Sequence, residues 1–76
     1  MSLQDFIEKF ASQFDVPSLY EFEAGTEFKA LEEWSSLMAL SVIAMVDEEF
    51  GVALKGKDIR ESKTIEDLFI IVKSLL

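Results

Sequence analysis

An all-α bundle of three main helices and one short one is predicted for this chain from three observations. Apolar residues recur at helical spacing in a capped segment near each end. Between them lies a segment that is apolar almost all round. No stretch alternates convincingly as a strand, and "FIIVK" continues a capped helical period. The 76 residues make one domain, 1–76, near the size at which a single core just offsets the entropy of ordering the chain.

Each element has its own local cause. Ser2 caps the first helix, with Asp5 three residues on. Leu3, Phe6, Ile7, Phe10 and Phe14 form its apolar stripe, opposite Gln4, Glu8 and Ser12. Pro17 is expected to end it, because proline disfavours helical geometry at Val16 and has no backbone donor. The acidic connection "LYEFEAGTEFKALEEW" carries Tyr20, Phe22, Phe28 and Trp34, which should pin it to the core, with a helical turn around Phe28 to Leu31. The second main helix should run from about Ser36 to Phe50 and stop at Gly51. Lys57 to Glu61 can form a short turn that presents Ile59. Thr64 caps the last helix with Asp67 in the box position, and Ile65, Leu68, Phe69, Val72 and Leu75 form its buried stripe.

Composition excludes several functions. Cysteine and histidine are both absent, which removes thiolate chemistry, disulfides, the commonest metal ligand and the commonest general base. Fifteen acids against seven bases give a net charge of −8, which argues against nucleic acid and anionic membrane surfaces and favours partners with basic patches. No segment is long and apolar enough to insert in a membrane, and "MSLQDFIEKF" lacks a basic lead and a continuous apolar run. The expectation is a soluble, cytoplasmic protein that is not an enzyme.

On a helical wheel Ala39, Val42, Ile43, Val46 and Phe50 cluster on one side of the second helix, with Leu40 at the edge. The opposite side holds Leu37, Met38, Ser41, Ala44, Met45 and Glu48, where a surface helix normally carries charge. Either this apolar side is a docking face, for which methionine is well suited, or the acidic connection folds over it. Asp47, Glu48 and Glu49 sit late in the helix, against the preference of its dipole. They either meet a basic partner or make an ordinary solvated end.

Two serines compete for one capping position at the head of this helix. Ser35 can cap, leaving the Ser36 hydroxyl on the first turn, towards solvent. Ser36 has no histidine to activate it and no nucleophile elbow, so it suits receiving a group better than attacking one. A phosphodiester there would lie beside free backbone N–H groups at the positive end of the helix.

These residues resemble a family. "WSSLMALSVIAMVDEEFGVAL" is similar to the second helix of acyl carrier proteins and related phosphopantetheine-binding domains. There a serine in an Asp-Ser-Leu motif opens the helix, and an acidic pair plus phenylalanine closes it. Ser36 and Leu37 match the Ser-Leu, and Glu48, Glu49 and Phe50 match the close. "GTEFKALEEW" and "IRESKTIEDLFIIVKSLL" extend the likeness over nearly the whole chain.

The resemblance implies an acyl-carrier-like four-helix bundle with a minor third helix. It further implies 4′-phosphopantetheine moved from coenzyme A onto Ser36 by a phosphopantetheinyl transferase. The arm would hold acyl or aminoacyl cargo as a thioester for loading and using enzymes, supplying the sulfur this chain lacks. Such enzymes would dock through basic and apolar patches, here on Leu37, Met38, Ser41, Met45, Asp47 and Glu48. Two departures stand out: Ser35 replaces the motif's aspartate, and the early recognition face has Met38, Ser41 and Met45 in place of acids. The alternative is an unmodified adaptor that keeps the fold and binds a partner through the apolar face of the second helix.

Overall fold

The computed structural model describes residues 2–15 and 21–76. Helix α1 spans Leu3–Ala11, α2 Ser36–Phe50, α3 Gly56–Glu61 and α4 Ile65–Ser74, with one 3-10 turn at Phe28–Ala30. All the regular structure among the described residues is helical. Helix α1 packs on both α2 and α4, and α3 packs on α4.

The caps lie where local chemistry puts them. Ser2 Oγ accepts from the Asp5 N–H at 3.1 Å, and Thr64 Oγ1 accepts from the Asp67 N–H at 3.1 Å. The Asp67 carboxylate in turn accepts from the N–H groups of Lys63 and Thr64, each at 3.0 Å. Two loop carbonyls complete this end of α4: the Ile65 N–H donates to Thr26 O and the Glu66 N–H to Ala24 O. The long connection is therefore fastened to the last helix by backbone bonds, while its rings meet Phe10 of α1.

The Asp67 carboxyl is held below its ordinary value, first by the Thr64 N–H and then by that of Lys63. A depressed carboxylate adds stability above its unfolded pKa and loses it as pH falls through the folded one. Asp67→Ala should therefore lower the melting temperature at pH 7, and its melt should fall less than wild type's on going to about pH 3. Thermal melts of both proteins at the two pH values test this.

Gly51 ends α2 with φ 68°, in the left-handed region, and its N–H donates to Asp47 O. Gly51→Ala should cost roughly 1 kcal/mol, since a side chain is strained there. Urea denaturation measures the loss.

Phe6, Phe10, Phe28, Val42, Val46, Ile65, Leu68 and Val72 form the fully buried centre. Phe6 lies 5.9 Å, centroid to centroid, from Phe50 of α2 and 5.7 Å from Phe69 of α4, so one ring joins three helices. The connection is pinned as expected: Phe10 stacks on Trp34 at 6.3 Å and meets Phe28 edge-on at 5.2 Å, and Phe14 lies 5.1 Å from Phe22. Tyr20 and Pro17 lie outside the described residues.

The structure corrects three expectations. Helix α1 stops at Ala11, well before Pro17. Ser12 Oγ and Gln13 Nε2 both donate to Lys9 O, giving the chain a local alternative to a further helical turn. Leu75 is exposed, because α4 ends at Ser74 and Leu75 falls beyond its last turn.

The third correction concerns α2. Met45 is only 5% exposed and belongs to the core, whereas Leu40 is 61% exposed. The buried side centres on Val42, Met45 and Val46, rotated by roughly 60° from the expected stripe. Both sides of this helix are apolar, so its own pattern does not fix its rotation. Glu49 helps fix it, meeting Lys9 of α1 at 3.4 Å on the rotated side. The same lysine lies 3.7 Å from Asp5, and the two acids, Asp5 first, raise its pKa above the ordinary lysine value.

Candidate functional site

The head of α2 separates its two serines by role. Ser35 is the cap: its backbone is extended, at φ −156° and ψ 174°, and its Oγ accepts from the Met38 N–H at 3.2 Å. Its carbonyl accepts from the Ala39 N–H at 3.0 Å. Ser36 is then the first helical residue and is exposed. Among the described residues, the N–H groups of Ser36 and Leu37 meet no backbone or side-chain acceptor, unlike the corresponding groups of α4, which bond to Thr26 and Ala24. An anion held at Ser36 would find two open donors and the positive end of a four-turn helix.

Ser36 opens onto a groove of about 520 Å³ between α2, α3 and the 3-10 turn. Trp34, Ala39, Leu40, Ile43 and Ile59 supply its apolar lining, and Lys29 and Arg60 are its charged residues. No carboxylate lines it. Lys29 Nζ donates to the Arg60 carbonyl at 2.9 Å, tying the 3-10 turn to α3 at this wall.

A second depression of about 330 Å³ lies on the other flank of the same helix end. It is bounded by Gln13 and Asp15 after α1, by Glu33 and Ser35, and by Leu37, Met38 and Ser41 of α2. The head of α2 thus divides a basic, apolar groove from an acidic depression, with Ser35 on both.

The expected recognition residues separate in the structure. Leu37 is 74% exposed, Asp47 and Glu48 are exposed, and Met38 and Ser41 are half-buried beside the acidic depression. The described part of the connection leaves Leu37 exposed, while Met45 faces inward, away from the expected docking face. Leu40, Lys29 and Arg60 enter the site, none of them expected there from the sequence, which placed Leu40 at the edge of the buried side of α2. Leu40 follows from the rotation of α2. The two cations come from separate segments, and only folding brings them together. One signal was visible, since Lys55, Lys57, Arg60 and Lys63 fall close together in a chain dominated by acids.

Among the described residues, no group of three or more metal-ligating side chains is placed to hold an ion. None of their helices is long and apolar enough to cross a membrane. Comparison with family models, with curated proteins and with solved structures gave no match.

Proposed function

We propose that this chain is a carrier protein of acyl-carrier type, with 4′-phosphopantetheine attached to Ser36. The observation that carries the reading is the division of labour at the head of α2. Ser35 takes the cap, which leaves an exposed hydroxyl beside two open N–H donors at the start of the helix. A hydroxyl committed to capping would be a poor acceptor for a bulky group; Ser36 has no such commitment.

The surroundings fit that group. Its phosphodiester would lie near the Ser36 and Leu37 N–H groups, where the helix dipole favours negative charge. Lys29 and Arg60 line the groove onto which Ser36 opens, and the groove holds no opposing carboxylate. When bound, the arm supplies a thiol able to carry cargo as a thioester, chemistry unavailable to a chain without cysteine. The chain's own part is to present Ser36, seat the anion and offer Leu37 and Leu40 to visiting enzymes. Asp47 and Glu48, exposed at the far end of α2, steer partners whose docking patches are basic.

Incubation with coenzyme A and a broad-specificity phosphopantetheinyl transferase should break the pyrophosphate bond of coenzyme A and join one phosphopantetheine to Ser36 Oγ, releasing adenosine 3′,5′-bisphosphate and the hydroxyl proton, with the added mass read by intact-mass spectrometry. No adduct with that enzyme, nor with the transferases of the protein's own source, would refute the proposal.

The exposure of Leu37 and Leu40 also supports a second reading, an unmodified adaptor that binds its partner through this face. On that reading Leu37→Glu with Leu40→Glu abolishes association, whereas Ser36→Ala leaves it intact. Loss of association in both variants argues against the adaptor.

A further inference from the structure

We infer that two copies of this chain pair through α4, antiparallel across a two-fold axis at Ile70, as a transient dimer. Ile70 is 58% exposed at the middle of α4, and Leu75 and Leu76 continue the exposed apolar surface beyond its end. None of the three lines either hollow beside the head of α2. The pairing therefore rests on neither the carrier nor the adaptor reading.

The charges on this face select the occupant. Glu66, Ile70 and Lys73 are all exposed, and their spacing of four and three residues puts them within about 60° on one side of the helix. Neither Glu66 nor Lys73 has an ion pair among the described residues. Lys73 Nζ lies instead 5.8 Å from the centroid of Phe69. Asp67, the next acid along, is committed to the N–H groups of Lys63 and Thr64. The open face thus reads acid, apolar, base in chain order. A basic partner would match its acid and meet Lys73 with repulsion. A second copy, turned end for end, matches both. With Ile70 against Ile70, each Lys73 comes level with position 67 of the other copy, about 1.5 Å along the axis from Glu66. The two-fold repeats this pair, and such an isologous contact closes at two copies.

Size and net charge set the strength. A helix of ten residues is about 15 Å long, so one face of it falls short of the roughly 1,200–2,000 Å² that stable complexes bury. Two bodies of charge −8 also repel each other. Association should accordingly be weak, with Kd on the order of 0.1–1 mM. It is best observed at about 0.3 M salt, where the repulsion is screened within 10 Å or so.

Sedimentation equilibrium at chain concentrations up to about 2 mM should show the average mass rising from 8.6 kDa towards twice that value. Ile70→Glu sets two acids against each other at the axis and should hold the mass at the monomer value. Lys73→Glu should weaken association roughly tenfold, through two lost ion pairs. Glu66→Lys should weaken it as well, although it lowers the net charge; association limited only by bulk repulsion would strengthen instead. Glu66→Lys with Lys73→Glu, an exchange that keeps the net charge, should restore it. Leu37→Gln with Leu40→Gln should leave it unchanged. Circular dichroism confirms that each variant is folded, which the exposure of all these side chains favours. A mass that stays at the monomer value over the whole range overturns the inference and leaves the face to a partner of another kind. So does association that survives Ile70→Glu, strengthens with Glu66→Lys, is not restored by the exchange, requires Leu37 and Leu40, or proceeds beyond two copies.

Discussion

Met45→Glu is expected to unfold the domain or bring it to the edge of unfolding. Met45 is buried in the core with Val42 and Val46, and the glutamate would place a carboxylate there without a partner. An unpaired buried charge costs on the order of 3–5 kcal/mol, to which lost apolar packing adds. A domain of this size has little stability to spare. Leu37→Glu, by contrast, should change stability by no more than about 0.5 kcal/mol, because Leu37 projects into solvent. Urea denaturation of the pair measures the contrast directly. Similar small losses in both would place Met45 on the surface and restore the stripe expected from the wheel.

Ser36→Ala is expected to abolish phosphopantetheine attachment while leaving the fold intact, since its hydroxyl is the proposed acceptor and is not the helix cap. Ser35→Ala should behave oppositely. It removes the bond to the Met38 N–H and should cost about 1 kcal/mol of stability, with Ser36 still modifiable. Ser35→Asp is the more informative change. Aspartate caps as well as serine does, so stability should hold, and it restores the acid of the resembling motif. Transfer from coenzyme A should then be faster than in the native chain. Initial rates of mass addition, set beside thermal melts, separate the two serines. Modification of the Ser36→Ala chain, or a Ser35→Asp rate below wild type, would contradict these assignments.

Much of the fold was legible because its signals are local. Ser2, Ser35 and Thr64 each accept from an N–H three residues on, and Gly51 closes α2 in the left-handed conformation. Four residues or fewer decide such motifs, so a sequence displays them fully. The aromatic pinning of the connection was readable for a related reason: Phe22, Phe28 and Trp34 would otherwise leave large apolar rings in water.

What was not legible depended on partners distant in the chain or on near-ties. The rotation of α2 was a near-tie, because leucine, methionine, valine and isoleucine surround it. Its setting is tied to contacts with α1, among them Lys9 to Glu49. The end of α1 turned on a competition between continuing the helix and bonding Ser12 and Gln13 back to Lys9 O. The proline farther along gave the stronger textual signal. The serine pair was visible as a question about capping. Its groove was not, since Lys29, Ile43 and Arg60 belong to three separate segments.

The intact mass of the protein isolated from its native source tests the central proposal most directly. The carrier account predicts a species heavier than the chain by one phosphopantetheine, bare or bearing cargo, with the added mass localised to Ser36 on fragmentation. A native population that consists entirely of the unmodified chain, or one modified elsewhere, would contradict it.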